Sequence, residues 1–201
     1  MPHAMSDLSP PIEPSTAVLS TRLRAGTRAA HAAAEKRFVR AAKAEPGSGP
    51  RLLMGLNLGL VSWLDRAAHV LAPGRLRDET GVFTAAVLEA HSGGDAAEDR
   101  PLLDDPVLDG PAEVVGAAYA ICGSTLGASV LADAWRHETD PRWVRFCAAS
   151  RALERRWPLF AAALDDWGGV LGEPPRSAVL AGADRAFAHA GALVDALARA
   201  R

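Results

Sequence analysis

An all-α fold, a single-domain multi-helix bundle, follows from three features of the 201-residue chain. Hydrophobic residues make up 49% of it, with alanine prominent, a composition suited to closely packed helices and ample for one core. Apolar residues recur at helical spacing. Leu23, Thr27, Ala30, Ala34 and Phe38 form one stripe with His31 in its middle, and Leu53, Leu56, Leu60, Trp63, Leu64 and Ala67 form another. Gly116, Gly123 and Gly127 are seven and then four residues apart, both helical repeats, so they share one face of a third helix.

Residues 1–15 contain Pro2, Pro10, Pro11 and Pro14 and no apolar periodicity, which predicts a mobile N-terminal tail; residues 16–201 form the helical domain. Leu23 to Phe38 reads as one amphipathic helix, capped by Ser20 and ending near Lys43 before the Glu45–Pro50 loop. In it His31 points inward among alanines that leave space beside the ring, and Glu35 lies one turn on. The second helix runs from about Arg51 to Leu71 and stops at Pro73 and Gly74. A shorter one follows over Thr80–Ala90, then a loop from Ser92 to Asp99. The glycine-bearing helix spans Glu113 to about Arg136. Each interior glycine costs about 1 kcal/mol relative to alanine, so three on one face imply that a helix or a flat ligand approaches the backbone closely. Two helices are expected between Pro141 and Trp167. Trp143 and Phe146 anchor the first, Leu153, Trp157, Phe160 and Leu164 line the second, and Pro158 bends or breaks the segment. An alanine-rich helix from Pro174 to Arg201 closes the chain, with His189 and His137 read as surface or capping residues.

The formal charge of −2 argues against a nucleic-acid partner. No apolar run is read as a membrane span, and the N-terminus lacks a secretory pattern, so a cytoplasmic protein without membrane association is expected. Cys122 and Cys147 make no metal-ligand spacing and are expected to be free thiols.

An inward histidine with small neighbours and a carboxylate one turn away suits a ligand to a bulky metal cofactor such as haem, the carboxylate fixing the tautomer; a lone histidine on an apolar helix face is more often a hydrogen-bonded core residue. The wider pattern LRxxTxxxHxxxE, here Leu23, Arg24, Thr27, His31 and Glu35, resembles the proximal-helix signature of the haem oxygenases. About 90 residues later, Tyr119–Ala128 (YAICGSTLGA) is similar to the YVLEGSTLGG stretch of the bacterial members, their distal helix. Leu102–Asp105 with Leu108–Gly110 resembles their LLxxDLxxLG-type segment; its acids also suit capping and solvation better than a cation site. The chain departs from the pattern at Cys122, where glutamate is usual, and at Ala128, where a second glycine is usual. Ser124 stands where animal-type enzymes carry a distal aspartate and where bacterial ones commonly carry serine.

The resemblance implies a haem-oxygenase-like bundle with haem between the proximal and distal helices. It implies a monooxygenase that opens haem, both cofactor and substrate, to biliverdin with release of CO and ferrous iron, using O2. It makes His31 the iron ligand, oriented by Glu35. Arg24 would pair with a propionate, Thr27 and Tyr119 would complete the haem contacts, and Gly123, Ser124 and Gly127 would form the distal catalytic face. The chain has no GxGxxG and no iron–sulfur pattern, so electrons must come from an external reductase or ferredoxin-type donor; a bilin-accepting protein is a further expected partner. The competing readings are a non-catalytic haem carrier of the same fold, a thiaminase-like enzyme, for which neither cysteine has an acid nearby, and a helical interaction domain.

Overall fold

The computed structural model describes residues 18–72, 74–92, 103–169 and 173–200, and among them every regular element is helical. The expected tail, Pro73, the loop from residue 93 to Asp99 and Leu102 lie outside the described residues.

The first expected helix is two: α1, Leu19–Gly26, and α2, Arg28–Ala44. The hydrogen-bond ladder survives the joint, with Thr27 N–H on Leu23 O and His31 N–H on Thr27 O, both 2.9 Å. Thr27 itself sits at φ −91°, ψ 0°, in the bridge region at the edge of the helical basin. Its hydroxyl donates to the same Leu23 carbonyl at 2.7 Å, the back-bonding that bends helices. Ser20 is not the cap. It lies inside α1, its amide donating to Asp165 Oδ1 at 2.7 Å and its hydroxyl to Oδ2 at 2.9 Å. These two bonds fasten the N-terminus of α1 to a later helix. Asp165→Ala is therefore expected to cost about 1.5–3 kcal/mol, the range for hydrogen bonds to a charged group. An unchanged urea midpoint in that variant would show that α1 is held by apolar contacts alone.

Helix α3, Gly49–Ala67, is buried almost all round from Leu52 to Leu64, as a helix apolar on every face must be. A single 3-10 turn, Ala68–Val70, ends it. Helix α4, Arg75–His91, begins a turn earlier than its apolar pattern suggested.

Helix α5, Pro111–Ala134, starts where Gly110 adopts φ 87° and Pro111 supplies a pre-set first residue. Glu113 Oε2 accepts the Asp109 amide at 2.9 Å, tying down that start. Contrary to the sequence expectation, Pro111–Leu131 is long and apolar enough to cross a membrane by length and composition; 56% of its most apolar window is buried inside the fold.

The expected pair of helices between Pro141 and Trp167 is one, α6, Pro141–Gly169, with Pro158 inside it. Pro158 is exposed, and the helix runs on past it. Contacts along its length keep it whole: Arg145 Nε to Ala90 O at 3.3 Å, Arg156 to Glu79 at 2.9 and 3.2 Å, and Arg75 to Asp166 at 3.3 Å. They run in opposite order along α4 and α6, so the two helices are antiparallel. Phe83, Phe146, Phe160 and Leu164, all fully buried, fill the space they enclose.

Helix α7, Glu173–Arg199, crosses α5 at an all-glycine contact. A Cβ on Gly116 would lie 1.8 Å from Val179 O, and one on Gly182 would lie 2.0 Å from Glu113 O. Gly116 thus seats a helix, which separates it from the other two glycines of its stripe.

Candidate functional site

The two sequence stretches singled out above meet at one cavity of about 540 Å³, within the roughly 300–1,000 Å³ usual for small-molecule sites. One wall is Arg24 of α1, Thr27 at the joint, and Arg28 and His31 of α2. The facing wall is Tyr119, Gly123, Ser124 and Leu126 of α5. Trp157 of α6 and Phe187 of α7 complete it. Glu35 and Gly127 are not among the lining residues.

His31 does not point into a core as expected. Its side chain is 60% exposed and faces a cavity open to solvent. The reason lies in α2, of which Phe38 is the only residue buried: the helix leans on α7 and stands off from α5, and the alanines beside His31 fill none of the gap. Glu35 Oε2 lies 4.0 Å from His31 Nδ1, and its side chain is 66% exposed. Exposed i,i+4 pairs are worth a few tenths of a kcal/mol, so Glu35 is a loose partner for the ring. The Phe187 ring is closer packed against it, edge-on with centroids 5.4 Å apart.

On the other wall, a Cβ on Gly123 would meet only the Trp157 ring, at 3.6 Å, and one on Gly127 would meet nothing within 4 Å. A ligand can therefore lie directly against this backbone. The Ser124 hydroxyl is engaged, donating to Ile121 O at 2.7 Å, and Thr125 and Ser129 bond the carbonyls of Cys122 and Leu126 in the same way. Burial pushes the Tyr119 phenol above its ordinary value and the nearby Arg24 guanidinium pulls it part of the way back, so Tyr119 is a neutral hydrogen-bond donor at physiological pH. Cys122 is buried and its thiol is pushed far up by desolvation, which fits a small packing residue and not a nucleophile. Both cysteines are free.

The other expected polar sites resolve differently. Asp105 pairs with Arg66, whose Nε lies 3.0 Å away, and Asp109 pairs with Arg185 at 3.4 Å, so these acids neither cap α5 with their side chains nor gather around a cation. His137 is exposed as expected. His189 is not a surface residue: it is 6% exposed, its ring set against Trp63 with centroids 5.0 Å apart. Desolvation lowers its pKa below the ordinary 6.5, opposed by the Asp105 carboxylate. A base whose folded pKa is depressed binds its proton more readily when unfolded. The stability tied to it is thus full above the ordinary histidine value and lost as pH falls through 6.5 toward the folded value. His189→Gln should flatten the stability profile over that window; parallel profiles for the two proteins would remove His189 as its source.

No protein-family model, no curated protein and no solved structure matches this chain. The two motifs lie on opposite walls of the one cavity they share. Among the described residues no group of three or more His, Cys, Asp or Glu is placed to hold a metal ion, and His31 is the one imidazole lining the cavity. Arg24 and Arg28, one turn apart at that cavity, provide for carboxylates, and Tyr119, Trp157 and Phe187 provide for a flat apolar ring. Sequence reasoning treated Trp157 and Phe187 as packing aromatics and passed over Arg28. Nothing local marks the first two, because their role comes from where α6 and α7 cross the site.

Proposed function

We propose that this chain is a haem oxygenase, a haem-degrading monooxygenase that opens haem to biliverdin with release of CO and ferrous iron. The observation that carries the reading is that His31 and the Gly123–Ser124 pair, some 90 residues apart in sequence, face each other across one cavity of ligand size. Bound haem would supply the iron at which O2 is reduced and would itself be the ring that is opened. The chain's own groups do the rest. His31 offers Nε2 to the iron, since Nδ1 is the ring nitrogen that faces Glu35. Arg24 and Arg28 hold the propionates and so set the rotation of the ring in its plane. Tyr119 donates a hydrogen bond from a phenol that stays neutral. Gly123 lets the α5 backbone close over the distal face, and Ser124, whose hydroxyl is committed to Ile121 O, contributes bulk and a fixed dipole, not a proton. Electrons come from a separate reductase or ferredoxin-type protein, and the product passes to a bilin-accepting partner.

A second reading, a haem carrier with the same pocket, is favoured by the exposure of His31, because turnover requires water to be excluded from the site. Hemin-loaded protein supplied with a chemical reductant in air separates the two. An oxygenase replaces the haem band with that of a bilin and releases CO in step; a carrier keeps its haem. Gly127 is exposed and does not line the cavity. With nothing within 4 Å of its Cβ position, Gly127→Leu overpacks no neighbour, and it gains helix propensity of up to about 1 kcal/mol. It should melt no earlier than the parent protein and form bilin at the parent rate. Slowed bilin formation in this variant would mean that haem extends along α5 beyond the cavity lining.

A further inference from the structure

Helix α7 follows α1 and α2 in parallel register along a seam with three contacts. At the first, Gly26 is pressed by Leu180, whose Cδ2 would lie 2.6 Å from a Cβ there. At the third, Arg37 lies across Gly191, its Nη1 3.0 Å from a Cβ placed there, and reaches Asp195 Oδ2 at 3.3 Å. The second contact falls between them. His31 and Phe187 meet edge to face, 5.4 Å between centroids and 87° between planes. The seam is anchored on both sides of the imidazole, so Phe187 is held in register with it, whereas Glu35 shares only the exposed face of α2 at 4.0 Å.

We infer that Phe187 is the positioning residue for the His31 imidazole: the edge-to-face contact fixes the plane of the ring, and Glu35 does not. The physical ground is that an imidazole on an exposed helix turns freely about its last side-chain bond unless something packs against it. A carboxylate at 4.0 Å is compatible with many ring angles, while an aromatic ring at 87° is compatible with few. The geometry stands without any ligand. Its functional consequence rests on the haem reading: an axial imidazole with a fixed plane presents the iron with one fixed orientation, chosen by α7 and not by α2.

The test uses the full-length protein in two states. In the ligand-free protein, the His31 ring-proton resonances, assigned by their absence in His31→Ala, should be displaced from their free-imidazole positions by the Phe187 ring current. Phe187→Leu should abolish the displacement, Phe187→Tyr should preserve it, and Glu35→Gln should leave it unchanged. In the hemin-loaded protein the paramagnetically shifted haem-methyl resonances report the angle of the axial imidazole plane, and their spread should change in Phe187→Leu and not in Phe187→Tyr or Glu35→Gln. Ring resonances of His31 indifferent to Phe187→Leu, or equally altered by Glu35→Gln, would overturn the positioning role. If the ligand-free result holds but hemin binds without engaging His31, the seam stands as described and the haem reading falls.

Discussion

His31→Ala is expected to abolish the histidine-ligated hemin spectrum while leaving the fold intact. The loss in affinity should exceed the roughly 10- to 100-fold that removal of an outer-shell partner of a metal ligand costs, because the ligand itself is gone. The fold should be untouched because the side chain is 60% exposed and exposed substitutions usually fall within about 0.5 kcal/mol. Added imidazole should restore the spectrum, since the cavity around the missing ring remains. A variant that keeps the parent spectrum, with the loss appearing instead on substitution of His69, His91, His137 or His189, would remove His31 as the ligand. His91 and His189 are buried within the bundle and His69 lies against the Arg66 carbonyl, so none of the three lines the cavity.

Gly116→Val should have the largest effect on stability. The added Cβ would lie 1.8 Å from Val179 O and 2.8 Å from Ala183 N, both backbone atoms of a packed helix that no rotamer change can move. Overpacking costs typically 1–3 kcal/mol and occasionally more, and here the upper end applies, about 3 kcal/mol or a fall of ~10 °C in melting temperature for a chain of this size. Gly182→Val, its counterpart across the crossing, should behave alike. Gly123→Ala should not, since its Cβ would make only ordinary contact with Trp157 at 3.6 Å. Equal melting temperatures for Gly116→Val and Gly123→Ala would mean that α5 and α7 do not cross where described.

The three glycines also show what a sequence can and cannot give. Their spacing placed them on one face and implied a close approach there, but only Gly116 meets a helix; Gly123 lines the cavity and Gly127 is exposed outside it. Spacing cannot say which is which, because the difference lies in where α7 crosses. Helix α3 was legible because its apolar residues recur at helical spacing, although the helix proves buried almost all round. The break at Thr27 was not, since its ladder remains hydrogen-bonded and only the φ and ψ of this one residue depart. Pro158 lies inside α6, and the segments anchored by Trp143 and Phe146 and lined by Leu153 to Leu164, expected as two helices, are one. At the cavity, Arg24, Thr27, His31, Tyr119, Gly123 and Ser124 were found through motif residues that lie on its two walls. Glu35 misled for the converse reason: one helical turn guarantees proximity but not burial, and at 66% exposure proximity does little. Arg28, Trp157 and Phe187 became visible only once three helices were placed around the same space.

If haem binds as proposed, its iron lies between His31 and the α5 backbone. Anomalous diffraction at the iron edge, from crystals grown with hemin, locates that atom directly. The account predicts one peak inside the cavity, at bonding distance from His31 Nε2 and facing Gly123 and Ser124. A peak ligated by another histidine, or a cavity that stays free of iron while hemin binds elsewhere on the molecule, would contradict it.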